Sequence, residues 1–300
     1  MARPFLKWVG GKRQLLGELN HTISGIVSGK INYCEAFVGG GALFFHLEEN
    51  GKIIDSIIND ANQELILCYK VVQQDVENLI KKLRNIEKKY HALSKIEQEQ
   101  FYYETRRNWN KDVDKNVQNL STNKKCARAA TTMFLNRTCF NGLFRVNSKG
   151  EFNTPIGSYS NPRICDGDNL RDASRALART EILCGSFDQI SLPSRDWLVY
   201  FDPPYRPLST SSSFTAYHKS GFNDEDQRNL AIFVSQMVEK NLNLVVLSNS
   251  DSRDGFFESI YIGTLFELRS VSARRNINRD GKGRGEITEL IIVGKNQIKG

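Results

Sequence analysis

The chain is poor in the residues that would announce a metal site, a disulfide frame or a membrane span. Its six cysteines, at positions 34, 68, 126, 139, 165 and 184, are scattered and form no Cys-x-x-Cys pair. That spacing argues against a zinc ribbon or a disulfide scaffold and fits reduced thiols. No stretch approaches the roughly 18 consecutive apolar residues of a membrane helix. The opening residues, Met1-Ala2-Arg3-Pro4-Phe5-Leu6-Lys7-Trp8, lack the apolar core of a secretion signal. The expectation is a cytoplasmic protein with no membrane partner and no metal. There is no Gly-x-x-x-x-Gly-Lys-Ser/Thr loop and no Gly-x-Gly-x-x-Gly fingerprint, because Phe44 stands where the last glycine of the latter would fall. A P-loop nucleotidase and a dinucleotide enzyme are therefore disfavoured. Internal repeats and low-complexity tracts are also missing.

What is present is an ordinary globular composition, 40% hydrophobic and 25% charged, over 300 residues. This is enough chain for one large domain or two unequal ones. The formal charge is +7, and it is unevenly spread. Residues 106–149 hold ten basic and two acidic side chains, and residues 269–284 hold six basic and one acidic, so the remainder is net negative. Aromatic, Asn and Gly residues interleave the first basic segment, among them Trp109, Phe134, Phe140, Asn141, Gly142 and Phe144. Charge beside stacking faces and hydrogen bonders suits a nucleic acid. Arg128, Arg137 and Arg145 are expected to carry part of that affinity.

Periodicity divides the chain into strand-and-helix alternation at both ends and a helical, charged middle. Strands are expected at 31–38, 53–59, 197–201, 242–247, 265–271 and 287–293, and helices from 42, at 224–239 and at 256–261. Residues 62–130 read as helical, with apolar residues at helical spacing (Leu65, Ile66, Tyr69, Val72; Leu79, Ile80, Leu83). Residues 137–165 read as loop or short hairpin. The expected fold is an α/β, mostly parallel sheet with catalytic segments 1–70 and 180–300 and an inserted helical segment 71–179.

Two strand ends carry chemistry. Phe37-Val38-Gly39-Gly40-Gly41 turns from a strand into a helix, where glycine lets a ligand approach the backbone. About 20 residues on, Asp60 ends the next strand, where a carboxylate can take ribose hydroxyls. The pair favours a nucleoside ligand, S-adenosylmethionine over a dinucleotide. The second is Leu198-Val199-Tyr200-Phe201-Asp202-Pro203-Pro204-Tyr205. Pro-Pro removes two backbone donors and stops the strand at a stiff corner. The Asp202 carboxylate, the Pro203 carbonyl and the Tyr205 ring can then converge on a planar exocyclic amine.

With Asp-Pro-Pro-Tyr and Lys7-Trp8-Val9-Gly10-Gly11-Lys12 in place, the chain resembles the Dam-type, D12-class DNA adenine methyltransferases. The resemblance runs through nearly the whole sequence in family order. It includes Asn59-Asp60, the segment Asn136-Arg137-Thr138-Cys139-Phe140-Asn141-Gly142-Leu143-Phe144-Arg145-Val146-Asn147, then Gly150-Glu151-Phe152-Asn153-Thr154-Pro155, Ser213-Phe214-Thr215-Ala216-Tyr217 and Leu247-Ser248-Asn249-Ser250. It implies a Rossmann-like S-adenosylmethionine-dependent methyltransferase sheet with an inserted helical DNA-recognition domain. It implies methyl transfer to the amino group of a flipped-out adenine in a short palindromic duplex site, GATC. Catalysis would rest on Asp202, Pro203, Pro204 and Tyr205. Trp8, Lys12, Phe37, Gly39, Gly41, Asp60 and Asp202 would meet the methyl donor, and Lys7, Asn141, Leu143, Arg145, Asn153, Pro155 and Tyr159 the DNA. Such an enzyme acts as a monomer on one strand at a time and leaves room for a cognate restriction endonuclease. An RNA adenine or DNA cytosine methyltransferase, and a DNA-binding regulator without catalysis, remain alternatives. A lid at 209–222 and a basic hairpin at 269–284 complete the expectations.

Overall fold

The computed structural model describes residues 1–10, 12, 14–111, 117–206, 222–241, 243–261, 263, 265–274 and 286–295. The expected lid and the Ser213–Tyr217 motif lie almost wholly outside the described residues, as does most of the expected basic hairpin. The fold is mixed α/β, as the sequence pattern implies, and the described residues form seven strands, the six expected and a further one at Thr180–Cys184. The chain divides into two compact units. One comprises Met1–Gly11, Gly39–Asn50 and Asn62–Cys184; the other comprises Lys12–Val38, Gly51–Ala61 and Gly185–Gly300.

The first unit is built on helices α2 (Ala42–Glu49), α3 (Gln63–Gln74), α4 (Val76–His91), α5 (Lys95–Asn110), α6 (Thr122–Thr138) and α7 (Gly167–Ala176), and it ends in strand β3 (Thr180–Cys184). Local sequence sets the helix starts. Asn62 accepts from the Glu64 and Leu65 amides at 3.1 Å each, and Ser94 and Glu97 form a reciprocal capping box. The apolar stripes at 65–72 and 79–83 are buried as their spacing implies. They meet α6, whose Ala129, Ala130, Met133 and Phe134 are buried. Tyr90 and Phe101 place their rings edge-on to Phe134, at centroid separations of 5.3 and 5.5 Å.

The 139–157 stretch after α6 is a narrow hairpin, not a free loop. Cys139 bridges Ile156 and Val146 bridges Phe152 in antiparallel pairs. Further rungs run from the Phe140 amide to the Pro155 carbonyl (2.9 Å) and from the Asn153 amide to the Arg145 carbonyl (3.0 Å).

The second unit holds helix α1 (Leu16–Ile26) and a sheet in the order β2-β1-β4-β5-β7-β6, with β1 at Ile31–Glu35, β2 at Ile53–Asp60, β4 at Trp197–Phe201, β5 at Leu244–Ser250, β6 at Phe266–Arg274 and β7 at Glu286–Gly294. Helices α8 (Asp224–Asn241) and α9 (Phe256–Ile260) belong to the same unit. β1, β2, β4 and β5 are parallel, whereas β7 runs antiparallel to both β5 and β6. All five residues of β4 are buried, as expected of a central parallel strand. The register fixes the functional end of the sheet. Glu35 lies beside Tyr200, Phe201 beside Leu247 and Ser248 beside Ile291. Side chains two apart on a strand share a face. The face that carries Tyr200 and Asp202 therefore also carries Tyr33 and Glu35 of β1, Ser248 of β5 and Glu289 of β7.

Candidate active site

Asp202 is the first residue beyond β4, where the sequence stops pairing because Pro203 and Pro204 have no N–H to donate. Its neighbours are all in the second unit. Lys12 Nζ sits 2.8 Å from Asp202 Oδ1, and Ser248 Oγ donates to the same oxygen at 3.0 Å. Behind Ser248, at 2.8 Å, lies the hydroxyl of the buried Tyr200. Burial pushes the Asp202 carboxyl above the ordinary aspartate range, and nearby Glu289 adds to this; Lys12 and the Ser248 hydrogen bond oppose it.

The corner that follows is pinned at several points. Gln227 Nε2 donates to the Pro204 carbonyl at 3.2 Å. The Arg206 amide donates to Asn249 Oδ1 at 3.3 Å, and Ser250 Oγ donates to the Arg206 carbonyl at 2.8 Å. The Tyr205 hydroxyl donates to Glu289 Oε2 at 2.6 Å. Lys12 Nζ lies 4.3 Å from the centroid of the Tyr205 ring. Among the described residues, no hydrogen bond is made to Asp202 Oδ2 or to the Pro203 carbonyl. Among the described residues two acceptors are thus without a hydrogen-bond donor, next to an aromatic ring held by Glu289 and Lys12. Such an arrangement can hold the two hydrogens of a planar amine.

Of the expected donor-binding residues in this unit, Phe37 lies among Phe187, Phe201 and Phe222, with centroid separations of 5.7, 6.4 and 5.7 Å. Asp60 is the last residue of β2 and half-buried. Beside it, buried Asn59 donates to the carbonyls of Ala36 and Gly185, both at 3.0 Å, and so ties three chain segments together at the strand end. An aromatic face (Phe37) and carboxylates at two strand ends, Asp60 after β2 and Asp202 after β4, make a donor set that fits a nucleoside-bearing sulfonium.

Trp8, Gly39 and Gly41 fall in the first unit. Gly39 and Gly41 have φ of +47° and +68°, a conformation other residues adopt only under strain. A Cβ on Gly39 would lie 2.8 Å from Trp8 Cδ1, and one on Gly41 would lie 2.6 Å from Tyr69 Oη. Tyr69 donates to the Gly39 carbonyl at 3.1 Å, and Trp8 stacks on Phe144 at 5.4 Å. The glycines therefore make a turn too tight for side chains, over a floor of aromatic rings.

The expected DNA-contacting residues all lie in the first unit, and several are paired. Lys7 Nζ donates to the Tyr159 hydroxyl at 3.2 Å and lies over its ring. Arg145 Nε donates to Asn153 Oδ1 at 2.7 Å. Asn141 is exposed at φ +54°. Pro155 is exposed, and Leu143 is half-buried, its carbonyl taken by Thr154. The neighbouring Phe140 leaves 51% of its surface in water; the sequence reading noted this aromatic without giving it a role.

The structure corrects two expectations about the basic segment. Arg128 is 8% exposed and forks onto Glu64, with Nη2 2.7 Å from Oε1, while its guanidinium covers the Trp109 ring. Arg137 donates to the Phe5 carbonyl at 2.7 Å. Both charges hold helices and termini together instead of facing a ligand. Charge counted along a sequence cannot separate a solvated cation from one already paired with an acid 64 residues away.

A family model described as D12 class N6 adenine-specific DNA methyltransferase matches residues 8–277. The chain belongs to this family. It is 42% identical over 295 residues to the type II methyltransferase M.MjaIII of Methanocaldococcus jannaschii, covering 97% of this chain and 98% of that one. It is 38% identical to the type II methyltransferase M1.LlaDCHI of Lactococcus lactis subsp. cremoris, covering 97% and 95%. It is 31% identical to the DNA adenine methylase of Escherichia coli K12, covering 98% and 95%. Membership of this adenine-specific methyltransferase family carries S-adenosylmethionine as methyl donor and DNA as substrate. Among the described residues no helix is long and apolar enough to cross a membrane, and no group of three or more His, Cys, Asp or Glu is placed to hold a metal ion.

The sequence reading of this methyltransferase missed Ser248, Tyr200, Glu289, Gln227 and Asn249. The Leu-Ser-Asn-Ser string pointed to two of them. Tyr200 stood inside the string that ends in Asp202 but was given no role, and nothing local marked Glu289 or Gln227, which come from β7 and α8.

Proposed function

We propose that this methyltransferase moves a methyl group from S-adenosylmethionine to the exocyclic amino group of an adenine turned out of a short palindromic duplex site, GATC, one strand at a time and as a monomer. The observation that carries the proposal is the pair of unclaimed acceptors, Asp202 Oδ2 and the Pro203 carbonyl, beside the Tyr205 ring. Adenine's amino nitrogen is a poor nucleophile because its lone pair is delocalised into the ring. Two acceptors on its hydrogens draw it toward tetrahedral geometry and aim the lone pair. A base inside a duplex cannot reach such a corner, so it must be flipped out, at a few kcal/mol. Tyr205 then offers it a stacking face. S-adenosylmethionine supplies an electrophilic methyl that needs no metal activation.

In this reading Trp8, Lys12, Phe37, Gly39, Gly41, Asp60 and Asp202 serve the donor. Pro204 gives the corner its stiffness. Lys7, Asn141, Leu143, Arg145, Asn153, Pro155 and Tyr159 contact the DNA, and the 71–179 segment recognises the target. The pinned hairpin supports this, since its paired rungs present Asn141, Arg145 and Asn153 at fixed spacing.

The test is incubation of the pure protein with labelled S-adenosylmethionine and duplexes that contain or lack GATC, followed by base analysis. Label in N6-methyladenine within GATC is expected. Transfer to RNA or to cytosine, or tight DNA binding without transfer, overturns the proposal.

A further inference from the structure

Asp202 can serve an amine only if its carboxylate plane is held in one rotation. Lys12 contacts Oδ1, but a lysine ammonium is a mobile point charge on a flexible stem and fixes distance better than orientation. The rigid contact comes from Ser248, which is fully buried on β5 at the level of Asp202.

The donors along this line can be assigned by elimination. An ionised carboxylate only accepts, so the single Ser248 proton points to Asp202 Oδ1 (3.0 Å). Ser248 then has no proton for Tyr200, so the Tyr200 hydroxyl donates to Ser248 (2.8 Å). Burial and the nearby Asp202 push the Tyr200 phenol well above its ordinary range, so it keeps its proton at working pH. The donors therefore run one way, from Tyr200 through Ser248 to Asp202. Among the described residues the hydrogen-bond donor Ser248 and the closest contact of Lys12 both fall on Oδ1, which leaves Oδ2 as the acceptor available to an amine.

We infer that Ser248, held in its donor state by Tyr200, is a positioning residue that locks the Asp202 carboxylate so that Oδ2 accepts from the target amine. This rests on the assignment of Asp202 as the amine acceptor. The other titratable groups around the carboxylate are Lys12, Glu289, Tyr200 and Tyr205.

The experiment measures single-turnover methylation of a duplex, S-adenosylmethionine affinity and the pH profile for Ser248→Ala, Tyr200→Phe, their double variant and Asp202→Ala. For Ser248→Ala the single-turnover rate should fall about tenfold or more, as misplacement of a reacting group commonly does, with donor affinity unchanged. The acid limb should move to higher pH, because a hydrogen bond that favours the carboxylate is gone. Tyr200→Phe keeps the buried ring and should move rate and pH limb the same way by less. The double variant should be no worse than Ser248→Ala, since Tyr200 acts through the serine.

Wild-type rate and pH profile in Ser248→Ala, with Asp202→Ala inactive, overturn the positioning role alone. Wild-type turnover in Asp202→Ala overturns the assignment beneath it. If Ser248→Ala does not fold, Tyr200→Phe decides: an unshifted acid limb overturns the inference.

Discussion

Two buried cation–carboxylate pairs, one in each unit, are built in opposite ways. Arg128 and Glu64, on α6 and α3, satisfy each other. The guanidinium places three hydrogen bonds on the two carboxylate oxygens, gives a fourth to the Trp109 carbonyl and stacks on the Trp109 ring at 3.8 Å. Lys12 approaches Asp202 at Oδ1, 2.8 Å away, and the carboxyl is held at a raised pKa. A planar fork matched to a carboxylate uses up its acceptors and leaves nothing for a ligand. A point charge on one oxygen leaves the other in play. The first design is a structural joint; the second, on the proposed function, is a reactive one.

The largest expected effect breaks the joint. Arg128→Met leaves Glu64 as an uncompensated buried charge and should cost about 3–5 kcal/mol of stability, read by urea denaturation. A loss within the scatter of surface substitutions would mean the two pairs do not differ as described.

Lys12→Met tests the second pair. A carboxyl with a raised folded pKa makes the native state hold a proton that the unfolded chain has released, so stability falls as pH rises between the two values. Removing Lys12 takes away the leading influence that lowers Asp202. Both this stability decline and the acid limb of methylation should therefore extend to higher pH. Urea titrations and initial rates across pH check the two effects independently, and an unmoved acid limb would detach Lys12 from the Asp202 charge.

The smallest effect separates paired from unpaired arginines. Arg145 bonds to neutral Asn153, so Arg145→Gln should flatten the logarithmic salt dependence of DNA binding by about 0.9. Arg128→Met, if folded, should leave that slope unchanged.

Much of the site was legible in the sequence. Asp-Pro-Pro-Tyr after an apolar strand announced a stiff corner because proline's missing N–H acts within the chain itself. The glycine turn was legible for the same reason, since a positive φ is a local demand. Helical stripes such as Leu79, Ile80 and Leu83 follow from periodicity and are buried as expected. The basic segment was misread at Arg128 and Arg137, because whether a cation is solvated depends on what folds against it.

Sequence by itself therefore determined the strand-and-helix pattern and the corner at Asp202. Both follow from backbone sterics, hydrogen-bond inventory and hydrophobic period, which act over a few residues. Tertiary structure alone decided which partners those residues received. Strand register brought Ser248 level with Asp202 and set Glu289 under Tyr205. Helix packing spent Arg128 on Glu64. Hydrogen bonds and ion pairs act over about 3 Å, and only the folded chain fixes which distant residues come that close.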